Sequence, residues 1–330
     1  METEQYDLVI LAGGTGRVTL PGRNPEPRAL APLKGRRLLH YILQAAKDSG
    51  RIRRAVVVTH PAKVGAFRAA FPAARLVWRE VTDDGSPRVA ETVRRAVAAG
   101  QEFSPWPADS QAGQGLPDAA EAGTEPLPLP LYVTQCAGTM PEGGWAGMRL
   151  AQFLRWKETG APLTGKLRVV VSMEDLPFLT GEALKDFTGR AERLDADGVY
   201  SLVTKASCLR EFPDLRRTFF HLAEGDFTGG NLSLIASTVF PACVTRMAEV
   251  YAMRKNVVKL AGWLGGGIIL KFLLHRLSLA DVERKASETF GLKGRCVISE
   301  YASVGTDLDR SEEWAKAEKY MGKGTVSPEK

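Results

Sequence analysis

Apolar residues fall into short, dense runs separated by longer mixed segments. Tyr6–Ala12 (YDLVILA), residues 55–59 (AVVVT), 75–78, 167–172 (LRVVVS), 198–204 (GVYSLVT) and 295–299 are such runs. Runs of this length bounded by turn residues predict strands buried on both faces, as in a largely parallel sheet. Between them, apolar spacings of three and four predict helices. One covers 38–47 and stops at Gly50, and another covers 86–99 with Ser86 as N-cap and Pro87 in its first position. Further helices are expected over 145–158, after the capping Thr180 (with Gly181 and Glu182 opening it), within 241–290, and from Ser311. The glycines of 227–231 (FTGGN) read as a turn. Strand and helix alternating in this order predict an α/β fold with crossover helices.

The pattern breaks once. Residues 101–131 hold six prolines, five acidic residues and no basic one, so this segment reads as a flexible acidic, Pro-rich insertion. Structure is expected to resume near Tyr132, with a helix over 145–158 after it, and both could still belong to an excursion from the main fold. The most apolar late stretch, 257–274, is interrupted by Lys259, Lys271 and a Gly-rich centre. It predicts a buried helical pair rather than a membrane span. The chain then reads as one domain over 1–330 carrying the 101–131 insertion and an added helical segment at 241–290.

Charge sharpens this picture. Lys+Arg 44 against Asp+Glu 38 gives +6, but residues 96–148 carry six acids and no Lys or Arg, leaving +6 − (−6) = +12 on the remainder. A basic body suits polyphosphate substrates without requiring nucleic acid. Cys136, Cys208, Cys243 and Cys296 form no CxxC pair, which points to reduced thiols in a cytoplasmic protein. The opening METEQYDLVI lacks a basic stretch followed by a long apolar run, so no signal peptide is expected. His40, His60, His221 and His275 show no metal spacing. Arg51, Arg53 and Arg54 read as a solvated basic turn.

Three features carry chemistry. The first is the Gly-rich segment 11–17 (LAGGTGR) after the first strand, where backbone N–H groups approach phosphate because no Cβ intervenes. The dinucleotide fingerprint fails, since Thr19 stands where its third glycine would be and Thr59-His60 offers no acid for a ribose. The Walker pattern fails because no GK[ST] follows. The second feature is Asp175 in SMEDLPFLT, at the carboxyl end of a strand, where open α/β sheets bind ligands and a carboxylate can hold Mg²⁺. Glu174 competes for that role, and either acid could instead complement a helix dipole. The third is Asp307 with Asp309, two apart on an extended segment and so on one side of it. They could complete a hard-cation site with Asp175, or Asp309 or Ser311 could cap the last helix.

Taken together and in order, these features resemble the MobA-like nucleotidyltransferase family. PRALAPLKGRRLLHYIL (27–43), VVVSMEDLPFLTGEAL and GTDLDRSEEW are similar to its later segments, and the likeness runs from residue 6 to about 320. The resemblance implies a Rossmann-like, GT-A-type three-layer α/β sandwich with a mostly parallel sheet. It also implies a reaction in which an NTP lies under the Gly-rich loop, an acceptor oxygen attacks the α-phosphorus, and pyrophosphate leaves. Leu11, Ala12, Gly13, Gly14 and Gly16 would cradle the nucleotide. Arg17 and Arg28 would contact phosphates and act in catalysis with Asp175. Gly85 and Arg88 would lie on the nucleobase side, and Thr228, Gly229, Gly230 and Asn231 on the acceptor side. Asp175 and Asp309 would hold Mg²⁺, with Asp307 in support. The acceptor would be a small phosphorylated molecule or a cofactor precursor such as a molybdopterin; neither nucleic acid nor a membrane span is implied. Val18 stands where the family has arginine, Arg28 where it has lysine, and Met173-Glu174 where a glycine precedes the aspartate. These departures motivate a second reading, a non-catalytic nucleotide-binding or regulatory protein. A third is an interaction protein acting through 241–290.

Overall fold

Nine strands, β1 (Tyr6–Ala12), β2 (Ile52–Thr59), β3 (Arg75–Leu76), β4 (Leu131–Gln135), β5 (Arg168–Met173), β6 (Gly198–Thr204), β7 (Phe220–Leu222), β8 (Gly225–Ala236) and β9 (Gly294–Ser299), build one sheet. The computed structural model describes residues 4–14, 17–21, 24–76, 127–159, 167–253 and 265–321. Eight strands run in the order β9-β6-β8-β5-β1-β2-β4-β3, with β7 added against β8. β1 pairs in parallel with both β2 and β5. β8 alone interrupts the parallel path, running antiparallel between β5 and β6.

From Leu8 to Ala12 β1 is apolar because both faces are covered. Leu8 and Ile10 join a cluster with Leu39, Ile42 and Leu43 of α1 (Leu38–Asp48) and Phe187 of α4 (Gly181–Glu192). Val9, pointing the other way, joins Met148 and Ala151 of α3 (Met140–Thr159) and Val244 of α6 (Phe240–Met253). The short α2 (Val64–Ala70) follows β2, and α5 (Lys205–Glu211) follows β6. α7 (Gly266–Leu273), α8 (Leu279–Phe290) and α9 (Ser311–Tyr320) complete the chain. This is the α/β fold that the residue pattern predicts, in the three-layer arrangement with a mostly parallel sheet that the resemblance implies. Thr180 caps α4 as expected, its hydroxyl accepting from Ala183 N at 3.1 Å.

Four expectations are corrected. First, of the two readings of the strand and helix after the acidic segment, the excursion is excluded. β4 pairs in parallel with β2 from Ala55↔Leu131 to Thr59↔Gln135, and α3 lies on β1 and β2. The helix expected over 86–99, residues 77–78 and most of the acidic segment (101–126) lie outside the described residues. Second, 227–231 is strand interior. β6 and β8 slip register between Tyr200 and Leu202, and Ser201 fills the slip by exchanging hydrogen bonds with Leu232 N (3.1 Å) and O (2.8 Å). The glycines answer to that bulge rather than to a turn.

Third, the arginines of 51–54 do not form a solvated turn. Asp7 is fully buried in β1, and an ionised carboxylate taken out of water needs cations. Arg53 Nε reaches it at 2.6 Å and Arg54 Nε at 2.9 Å. Arg54 also pairs with Glu158, and Arg51 with Glu192. Asp7→Ala is expected to cost about 3 kcal/mol by stranding a buried arginine, read as a lower urea midpoint at unchanged slope. Fourth, α7 is not one of a buried pair, since none of its residues is buried. Its Leu270, Phe272 and Leu273 are exposed, Ile268 and Ile269 are half-buried, and Lys271 pairs with Asp281 of α8. Among the described residues, no helix is long and apolar enough to cross a membrane.

Candidate active site

Parallel pairing of β1 and β5 in register, Leu11↔Met173, brings two loops together at the carboxyl edge of the sheet. One holds Gly13 and Gly14, and the other holds Glu174 and Asp175. A third segment joins them, because Leu308 N donates to Asp175 O at 3.1 Å. The Leu308 side chain is fully buried in the core. Its extended neighbours Asp307 and Asp309 therefore turn together toward Asp175. One carboxylate oxygen from each of Asp175, Asp307 and Asp309 lies within 4.8 Å of the others.

Two arginines balance this acid cluster. Arg28 Nη1 pairs with Asp175 Oδ2 and, at 3.0 Å, with Asp309 Oδ1. Arg217 pairs with the Asp307 carboxylate and, at 3.3 Å, donates to its carbonyl. The balance is incomplete. Burial, and then the neighbouring Asp307, push the Asp175 carboxyl up to about 6 against the pull of Arg28. Burial and Asp307 push Asp309 up as well. Asp175 Oδ1 is buried and accepts no hydrogen bond among the described residues. A cluster of hard oxygen donors that repel one another, with one orphaned buried oxygen, fits a divalent cation of the Mg²⁺ type.

On the β1 side, Thr59 Oγ1 donates to Ala12 O at 3.2 Å and ties the ends of β1 and β2. Leu11 is half-buried and Ala12 buried at the end of β1, while Gly14 is exposed. Lys63, in the turn after β2, donates its ammonium to Gly14 O. A Cβ on Gly14 would stand 4.0 Å from Glu174 Oε1, so the loop passes directly over that carboxylate. Burial pushes Glu174 up to about 7, with Lys63 opposing; Ala29 N–H donates to the same carboxylate. Burial lowers the Lys63 ammonium in turn. Arg17 is exposed and lies opposite Pro27 in a two-residue antiparallel pairing, which carries it to the corner held by Arg28. Gly16, Gly85 and Arg88 lie outside the described residues.

Across the acid cluster is a cavity of about 270 Å³. Thr228, Gly229 and Asn231 line it, as do Arg216 and Arg217, with Asp307 and Asp309 toward the cluster. Gly230 does not line it. It is buried, and a Cβ there would lie 2.8 Å from Ser201 Cβ and closer still to the hydroxyl. Gly230→Ala is therefore expected to destabilise by about 1–3 kcal/mol through overpacking, seen as a lower Tm.

Lys63, Arg216 and Arg217 were not singled out from the sequence. For Lys63 a signal exists, a basic residue four positions past the carboxyl end of a central strand. Arg216-Arg217-Thr218 sits in no recognisable motif, and only the fold brings it beside Asp307.

No protein-family model and no curated protein matches the chain. Among solved structures it is similar to a hypothetical transferase from Thermus thermophilus. That match has a TM-score of 0.60 and 25% identity, covering 94% of this chain and 99% of that one. It is also matched by a 4-diphosphocytidyl-2C-methyl-D-erythritol synthase from Anaerococcus prevotii DSM 20548, with a TM-score of 0.45 and 12% identity over 96% of each chain. The Thermus protein, whose name is that of a hypothetical transferase, shares this architecture over nearly its whole length.

Proposed function

We propose that the chain is a Mg²⁺-dependent nucleotidyltransferase of the MobA-like kind, passing NMP from an NTP to a small acceptor with release of pyrophosphate. The observation that carries this reading is the convergence of Asp175, Asp307 and Asp309 opposite a Gly-rich loop at the ligand-binding edge of the sheet.

Phosphoryl transfer demands positioning and charge neutralisation more than covalent chemistry. The backbone of Gly13 and Gly14 lets phosphate approach without a side chain intervening. Arg17, Arg28 and Lys63 supply positive charge around that loop. Asp175 and Asp309, with Asp307, would hold the cation. When bound, a divalent cation neutralises developing charge on the phosphate oxygens. In the same reading, the cavity beyond the acid cluster takes the acceptor, whose oxygen attacks the α-phosphorus in line with the departing pyrophosphate.

Screening the four NTPs by thermal shift, with and without Mg²⁺, tests the proposal, because a ligand that binds the folded state raises its apparent stability. One NTP is expected to raise Tm in a Mg²⁺-dependent way. No Mg²⁺-dependent shift with any of the four would overturn the reading.

A further inference from the structure

Arg28 meets the acid cluster with one atom. An arginine usually faces a carboxylate with two nitrogens side by side, as a fork. Here a single nitrogen, Nη1, serves two carboxylates, Asp175 Oδ2 and, at 3.0 Å, Asp309 Oδ1. Nε and Nη2 make no hydrogen bond among the described residues. One positive point thus bridges two acids from distant parts of the chain, and they are two of the three residues that would hold the cation.

The two arginines of the site differ in freedom. Arg217 is tied twice to one residue, at the carboxylate and the carbonyl of Asp307. Arg28 is tied to carboxylates alone, and its side chain is partly exposed. The backbone beneath it is fixed. Ala29, Leu30 and Ala31 are buried. Ala29 N–H donates to Glu174, and Ala31 N donates to Pro27 O at 3.1 Å and to Arg28 O at 3.0 Å. Any movement at Arg28 is therefore left to its side chain.

A guanidinium and a divalent cation on the same pair of acids repel each other, so each binds at the expense of the other. A cation that must first displace Arg28 binds more weakly by the strength of that hold. A polyphosphate offers the displaced side chain a partner, since its oxygens can take the fork of N–H groups that the carboxylates leave unused. A lysine at this position would be a compact charge with no such fork.

We propose that Arg28 is a built-in stand-in for the divalent cation: it holds Asp175 and Asp309 together until the cation takes them, and its guanidinium then passes to the phosphates of the nucleotide. This rests on the nucleotidyl-transfer reading and adds a barrier to loading the cation without a nucleotide. Arg28 is thus a positioning residue for the acids before it is a phosphate ligand.

The test uses the full chain, with Mn²⁺ as the probe and no nucleotide, the free ion being counted by electron paramagnetic resonance. Arg28→Gln is expected to bind one Mn²⁺ at least tenfold more tightly than wild type, and adding Asp175→Asn should abolish the gain. In Mg²⁺-supported pyrophosphate release, the same Arg28→Gln should raise the NTP KM at least tenfold. The opposite signs are the signature, because an arginine that only kept the site in shape would weaken both when removed. Arg28→Lys should lie between the two on Mn²⁺ and recover part of the KM. Lys63→Met removes a nearby charge without vacating the acids, and its Mn²⁺ affinity should stay within threefold of wild type. In wild type itself, the side-chain NMR signal that Arg28→Lys lacks should move when Mg²⁺ and the NTP are added together. Mn²⁺ binding in Arg28→Gln no tighter than in wild type, an equal gain in Lys63→Met, an unchanged NTP KM or an unmoved Arg28 signal would each overturn the stand-in role. Absence of any Mg²⁺-dependent NTP thermal shift in wild type is a different result and removes the nucleotidyl-transfer reading beneath it.

Discussion

An Asp175→Asn variant is expected to release pyrophosphate about 1,000-fold more slowly than wild type, or about 4 kcal/mol in transition-state stabilisation. Asn keeps the shape and one acceptor oxygen but removes the charge that completes the acid cluster. The variant should also lose the Mg²⁺-dependent part of its NTP thermal shift. Full turnover in Asp175→Asn would sink the metal assignment.

Stability separates this outcome from misfolding. The folded-state carboxyls of Asp175 and Glu174 are pushed to about 6 and about 7, above their ordinary 3.8 and 4.5. A raised carboxyl binds more protons folded than unfolded, so its contribution is fully present at low pH and is lost as pH rises through the folded value. Metal-free wild type should therefore lose stability from about pH 4 to 7. Asp175→Asn should flatten the lower part of that fall and be no less stable than wild type at pH 7. Mg²⁺ should stabilise wild type more at pH 7.5 than at pH 5, because it competes with protons for the same oxygens. An inactive protein that is as stable as wild type identifies a carboxylate held for function at a cost to folding.

The acid cluster was legible because each of its parts carries a local signal. Asp175 lies two residues past a strand with three consecutive valines, and acids at strand ends sit at the ligand edge of such sheets. Asp307 and Asp309 are two apart around a leucine, which fixes their shared side once the leucine is buried. That the two parts meet is what the resemblance implies, and the hydrogen bond from Leu308 N to Asp175 O holds them together. The Asp7 cluster offers no such signal, since nothing near Arg51, Arg53 and Arg54 in sequence announces a buried acid 46 residues earlier. The 227–231 glycines misled for a different reason. Glycine density usually marks a turn, but here Ser201 on the next strand leaves no room for a Cβ at Gly230. The Pro-rich break before β4 hid the return of the chain to the main sheet, because composition reports what a segment cannot bury and not where its ends go. Arg28 was expected on phosphates; the structure places it on Asp175 and Asp309, where it links the cation ligands to the corner beneath the Gly-rich loop.

Lys63→Met is expected to lower kcat/KM for the NTP about 100-fold, or about 2.7 kcal/mol. Lys63 anchors the carbonyl of Gly14 and faces Glu174, so it fixes the height of the loop over a buried carboxylate. Methionine fills similar volume but provides neither the anchor nor the charge. Glu174, already pushed to about 7, then loses the cation that holds it down and moves further up. At pH 7 it takes a proton, so one positive and one negative charge vanish together and Tm should change little. Above pH 7 the variant should fall progressively below wild type, because a raised carboxyl forfeits its stabilising contribution as pH climbs through its folded value. Adding Glu174→Gln should restore stability at high pH without restoring activity, since the loop remains unanchored. Lys63→Arg should recover part of the activity by keeping a donor near Gly14 O. A Lys63→Met enzyme whose kcat/KM for the NTP stays within threefold of wild type would show that the loop needs no anchor, and Lys63 would then be only a counter-ion for Glu174.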